Sequence, residues 1–282
     1  MLRLITTNDG GSSESVTDVI AGRDYAAGEP ICHFEGDVLS PKDAATAKDA
    51  ASFLFGRDGY YGATLLTMKD GTTICGYNMP RSKEGVAQLV PDAAEWRLDD
   101  SLACPIDSMF HCNSPSIIDS IASYTEASTR GSNVAFDHEK GDRILYATRP
   151  IRRDEPLRRH HGIEHWIWRQ LRETNEPMVR LACYHLLCPD GLVVDREAEV
   201  VTVGKYKLTP ADFLVAFRVL SDGPLMAHLG LLESTPLEQV ATLVDVVKSN
   251  GVWGQCLKPG QAVVTHRPRS KRWLCLSDNV CS

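Results

Sequence analysis

Three histidines fall within six residues, at His160, His161 and His165, separated by Gly162-Ile163-Glu164. Imidazole can donate, accept or carry a proton near neutral pH, so such a cluster suits acid/base work. If a helix starts at Gly162, His161 and His165 lie at i, i+4 on one face, which is also a metal-ligand spacing. A zinc site would need a third ligand, and Cys183, His185 and Cys188 are the nearby candidates in the sequence. Their spacing matches no standard zinc pattern, so no metal is assigned. A second polar group is Met109–Pro115 (MFHCNSP), a loop-like run whose side chains could reach a site. Arg149, Arg152, Arg153, Arg158 and Arg159 crowd together just before the histidines, but Asp154 and Glu155 interrupt them. That pattern describes a solvated, partly neutralised face better than a nucleic-acid patch.

The histidines follow a hairpin. Asn133–Asp137 reads as one strand, 139–142 as a Gly-containing turn and Arg143–Thr148 as a second strand, with a bend at Pro150-Ile151. Upstream, Val16–Tyr25 predicts a strand, Ala26-Ala27-Gly28-Glu29 a tight turn, and Pro30–Phe34 another strand. Lys42–Ala51 predicts a short helix, and Asp70-Gly71 the turn of a hairpin between Gly59–Thr67 and Thr72–Cys75. Arg81–Arg97 reads as a polar surface insertion with one helix, and Ile117–Arg130, rich in serine, shows no defined element.

After Gly162 the texture becomes helical, over 164–173, 177–188, 210–220 and 236–248, with a hairpin expected at 191–208. Three of those helices open on proline, and Thr209 and Thr235 stand as caps. The expected class is α+β, with a β-rich domain over 1–165, an insertion around 50–105, and a helical lobe over 166–282.

Composition narrows the partners. The chain has 282 residues, 43% hydrophobic and 24% charged, with 37 acidic against 30 basic residues and a net charge of −7. A global attraction to nucleic acid or to an anionic membrane is therefore not expected. Nine cysteines without a CxxC pair, and no apolar leader in MLRLITTNDGGSSES, predict reduced thiols in the cytoplasm or nucleus. No run approaches the ~18 apolar residues of a membrane span.

Three blocks, in order, resemble a known family. Arg23–Leu39 (RDYAAGEPICHFEGDVL) is similar to the opening of a SET domain, MFHCNSP to its Asn-His-Ser-Cys-x-Pro-Asn motif, and Ser132–Gly162 to its closing block. A helical segment after the block also resembles the Rubisco-methyltransferase-like branch. The resemblance implies a β-clip of short curled sheets with a threaded C-terminal segment. It implies S-adenosylmethionine as methyl donor and a protein lysine as acceptor. On that likeness Phe110, His111, Cys112, Asn113, Asn133, Ala21 and Arg23 would serve the cofactor, and His161, His160 and Tyr146 the chemistry.

The motif positions themselves differ. Val16-Thr17-Asp18 stands where the family has Gly-x-Gly, Phe110 where it has the cofactor-holding asparagine, Asp154-Glu155-Pro156-Leu157 for Gly-Glu-Glu-Leu, and His161 for the tyrosine. Histidine in place of a phenol changes the chemistry on offer. Two functions therefore stand side by side. One is lysine methylation with S-adenosylmethionine. The other is a diverged scaffold using its pocket for acid/base or cyclisation chemistry on a small molecule, or for binding.

Overall fold

The computed structural model describes residues 2–7, 15–55, 64–77, 81–98, 117–137, 139 and 141–249. These form an α+β protein of small antiparallel sheets and helices. The contacts divide the chain into two units. Among the described residues no helix is long and apolar enough to cross a membrane.

The first unit comprises Met1–Lys48, Gly59–Glu95 and Tyr124–His161. Strands β1 (Leu2–Thr7) and β2 (Ser15–Ala21) pair antiparallel, with a register shift at Ile5/Thr6. Next come β3 (Pro30–His33) and β4 (Gly36–Val38). Helix α1 (Pro41–Ala47) follows, its amide at Asp43 capped by the Ser40 hydroxyl. Strands β5 (Leu65–Thr67) and β6 (Thr73–Gly76) flank the Asp70-Gly71 turn, and β6 also pairs with β4. The hairpin of β7 (Val134–Asp137) and β8 (Gly141–Ala147) completes a sheet in the order β3-β8-β7.

The Ala26-Ala27-Gly28-Glu29 turn forms because Gly28 takes φ 78°, a left-handed conformation that costs glycine nothing. The Glu29 carboxylate accepts from the Ala26 N–H at 2.9 Å and from Arg23 at 2.5 Å, and the Gly28 N–H reaches Ala147 O at 2.7 Å. Beneath these strands lies a core that includes Val19, Phe34, Ile74, Val134, Leu145 and Leu157. The stretch read as a polar surface insertion feeds that core instead. Val86, Ala87 and Val90 are buried, and its only regular element among the described residues is the 3₁₀ turn Ala87–Leu89.

The second unit comprises Asp49–Asp58, Trp96–Ser123 and Gly162–Ser282. Helix α2 (Ala50–Leu54) is capped by Asp49, so the single helix expected over 42–51 is two helices broken at Lys48-Asp49. Helix α3 (Ile117–Gly131) occupies the stretch for which no element was expected and runs from this unit into the first. Then come α4 (Ile163–Glu173) and α5 (Pro177–Leu187). Where a hairpin was expected there is a three-stranded sheet of β9 (Leu192–Asp195), β10 (Val200–Val203) and β11 (Tyr206–Leu208). Helices α6 (Pro210–Ala216), α7 (Pro224–His228) and α8 (Pro236–Ser249) close it, each opening on proline. Thr235 and Glu238 form a reciprocal capping box at α8, with N–H to oxygen distances of 2.9 and 3.3 Å.

Candidate functional site

The histidines stand at the end of a segment, Asp154–His161, threaded through the first unit. On one side it pairs with β2. Asp154 N–H donates to Ala21 O at 2.8 Å, Ala21 N–H to Glu155 O at 2.9 Å, and Leu157 N–H to Val19 O at 2.8 Å. On the other side Asn133 N–H reaches Arg158 O at 2.9 Å. Arg159 N–H donates to Pro91 O, and Ala93 N–H to Arg159 O, both at 3.0 Å. The segment enters through a tight turn in which Asp154 takes φ 71°, the region glycine favours and aspartate tolerates.

The Asn133 side chain ties this threading down. It is buried, donates through Nδ2 to Pro156 O at 2.8 Å and to the Glu155 carboxylate at 3.0 Å, and accepts from the Arg158 N–H at 2.8 Å. Ala21 is fully buried with both backbone groups spent on the segment. Arg23 is exposed, paired with Glu29 and stacked 4.1 Å from the Tyr25 ring centre. Tyr146 lies on β8 opposite Pro30 and Ala135 in register, and alternation sets its side chain on the face away from the buried Leu145 and Ala147. Phe110, His111, Cys112 and Asn113 lie outside the described residues.

Asp92 organises the polar centre. It follows Pro91 and is held by a parallel bridge to Arg159. Its Oδ2 accepts from the Tyr124 hydroxyl at 2.6 Å and from the His161 N–H at 3.2 Å, and its Oδ1 accepts from the Ser128 hydroxyl. Tyr124 and Ser128 come from successive turns of α3, four residues apart, so one helix face presents both hydroxyls. Both are buried.

The Ser128 oxygen lies 2.8 Å from His160 Nδ1. Since the hydroxyl proton goes to Asp92, Ser128 must accept from His160 Nδ1–H, which assigns the neutral tautomer with its lone pair on Nε2. Burial lowers the His160 pKa below its ordinary value, and Arg159 adds to this, while Asp92 opposes it. The Tyr124 ring packs against the imidazole at 5.6 Å between centres, fixing its plane.

His161 is enclosed differently. Its Nε2 lies 2.8 Å from Val90 O and 2.9 Å from Arg159 Nε. One ring nitrogen cannot serve both, so each tautomer keeps one of these bonds and gives up the other. Arg159 itself is 8% exposed, with a pKa pushed down to about 10 by burial and partly restored by Asp92. The Phe136 ring lies 5.4 Å from its guanidinium carbon.

At Asp18, in the middle of β2, both carboxylate oxygens are bound by Arg158, at 2.6 and 3.1 Å. This forked pair is half-buried. His165 packs edge-on against Trp166, 5.4 Å between ring centres, on α4.

Sequence reasoning singled out both histidines but missed Asp92, Tyr124 and Ser128. Asp92 is one acid among several in a polar stretch, and no spacing connects it to α3 or to the threaded segment. Compared with known proteins, the chain matches no family model and no curated sequence.

Proposed function

We propose that residues 16–162 form a SET-type scaffold that does not transfer methyl groups. It offers instead a neutral imidazole at His160 for hydrogen bonding and proton transfer to a small molecule. The observation that carries this reading is the Asp92–Ser128–His160 chain. Its two linked hydrogen bonds orient the ring, leave the Nε2 lone pair available and put a carboxylate behind any proton the ring accepts. The lowered pKa keeps the base unprotonated at neutral pH.

The threading supports the scaffold. Asp154, which stands for glycine in the resemblance, takes the left-handed backbone that glycine favours, and the closing segment runs against β2 and Asn133.

Two features of the described residues favour this reading over S-adenosylmethionine binding. Where the resemblance has a bare glycine backbone, the Asp18 carboxylate is clamped by Arg158, and the Ala21 backbone is spent. In the tyrosine position, His161 turns to Val90 O and Arg159.

Calorimetric titration with S-adenosylmethionine should give no binding heat, and micromolar binding to folded protein would restore lysine methylation as the function. Diethyl pyrocarbonate, which acylates neutral accessible imidazole, should modify His160 at pH 7, as mapped by mass spectrometry. An unmodified His160 would sink the acid/base role.

A further inference from the structure

An open groove of about 580 Å³ lies in the second unit, where the end of α2 meets β11 and α6. Its walls are apolar and aromatic, with Phe53, Phe55, Leu208 and Val215 among them, and two guanidinium groups, Arg180 and Arg218, also line it. Ligand pockets typically occupy ~300–1,000 Å³ and combine such walls with a few fixed polar groups. Among the described residues neither arginine has a carboxylate within ion-pair distance. The groove's own acid, Asp212, accepts from the Thr209 hydroxyl at 2.8 Å as part of the α6 cap.

Arg180 is 3% exposed. Its Nη1 donates to Leu171 O at 3.0 Å and Thr174 O at 3.4 Å, and its Nη2 to Ala216 O at 3.4 Å, while Nε has no partner among the described residues. Those carbonyls end α4 and α6, so helix dipoles offset part of the charge but supply no anion. Arg218 adds a second cation beside it.

The backbone at Arg218 is unusual. Its N–H bonds Val215 O at 3.0 Å and the next N–H, of Val219, bonds Leu214 O at 2.8 Å, a Schellman end to α6. The residue at this corner must be left-handed, and Arg218 takes φ 61° where glycine is the favoured choice. A side chain kept at a strained backbone position is a mark of functional sites. Here the strained residue is an exposed arginine that also bonds Asn175 and Thr174 O.

We propose that this groove binds an amphipathic carboxylate. The head group pairs with Arg218 in the field of the buried Arg180, and the apolar chain or ring lies on Phe53, Phe55 and Val215. The forked geometry of a guanidinium matches a carboxylate, and the apolar walls exclude a bare inorganic anion as the main ligand. The inference rests only on the second unit and stands or falls apart from the role of His160.

Calorimetry on the full chain with sodium octanoate, 1-octanol and inorganic phosphate tests it. Octanoate should bind at least ~10-fold more tightly than either control, since only it carries both features. Arg218→Gly should weaken octanoate at least ~10-fold while unfolding no earlier on heating, because glycine suits the corner. Val215→Glu, at a site 78% exposed, should abolish binding without disturbing the fold. No octanoate binding, equal binding of octanoate and octanol, or an Arg218→Gly variant that binds like the parent would each overturn the proposal.

Discussion

Each unit buries one arginine and holds one histidine, half-buried in the first and buried in the second, and the charges around them differ. In the first, Asp92 stands near both Arg159 and His160 and pulls each pKa back up against the effect of burial, although Arg159 itself adds to the lowering at His160. In the second, a further cation stands near each. Arg218 adds to the lowering at Arg180, which falls to about 10, and Lys248 to that at His185, which falls to about 4, where Asp190 offsets only part. Burial is the leading cause in all four. A buried charge with an anion beside it completes a structure, whereas one with a second cation leaves surplus positive potential. The first arrangement closes around its own groups; the second is where an anion from outside has most to gain.

The comparison breaks most visibly at Asp92. Asp92→Ala strips the acceptor from the Tyr124 and Ser128 hydroxyls and the His161 amide, and should cost about 3 kcal/mol in urea unfolding. It should also lower the His160 pKa further in an NMR titration, because the opposing carboxylate is gone.

Acid should act on the second unit more strongly. The unfolded imidazole of His185 takes its proton near 6.5 and the folded one only near 4, so the unfolded state binds more protons between those values. Stability therefore rises with pH across that window and falls by up to ~3 kcal/mol on acidification through it. His185→Gln should flatten this slope in urea midpoints read from pH 7 to 4. His160→Gln should flatten it less, since Asp92 opposes the shift there.

Arg180→Met sharpens the contrast from the other side. Removing a buried cation that has no ion-paired anion among the described residues should change stability by only about 1 kcal/mol, with the lost carbonyl bonds offset by the desolvation avoided. Arg159→Met, which leaves Asp92 without its cation, should cost clearly more in the same denaturant series.

The smallest effect belongs to the turn at Asp154. Its ion pairs with Arg3 and Arg153 are exposed and contribute little. Asp154→Gly relieves the left-handed strain and should stabilise by about 0.5 kcal/mol, read as a small rise in melting temperature.

What the sequence made legible follows local rules. The strands around Gly28, the hairpin of β7 and β8, and the helices opening on Pro177, Pro210 and Pro236 all carry short-range signals in glycine conformation, alternation or capping. Helix α3 escaped because Ile, Ser and Thr compete poorly for helix on propensity alone, and its stability rests on packing such as the buried Ile121 and Tyr124. The third strand of the β9–β11 sheet escaped because Gly204 at φ 57° turns the chain within what reads as one continuous strand. Of the candidate site, the histidines were visible by type and crowding. Asp92 and the Arg180–Arg218 pair were not, because what gives them meaning is proximity across distant segments and the depth to which they are buried.

The threaded segment also sets a schedule for making the protein. Arg158 and Asp18, joined by a forked ion pair, are 140 residues apart in the chain, and the backbone pairing around them spans a similar distance. Contacts of such separation form slowly, because the intervening chain must first lose its freedom. During synthesis the wait is longer still. At about 5–20 residues per second, β2 is exposed for roughly 7 to 30 s before the strand partner that covers it has been made. The apolar residues of β2 and β3 must be kept from other chains for that interval, and the first unit becomes a closed domain only once residues beyond His161 have left the ribosome.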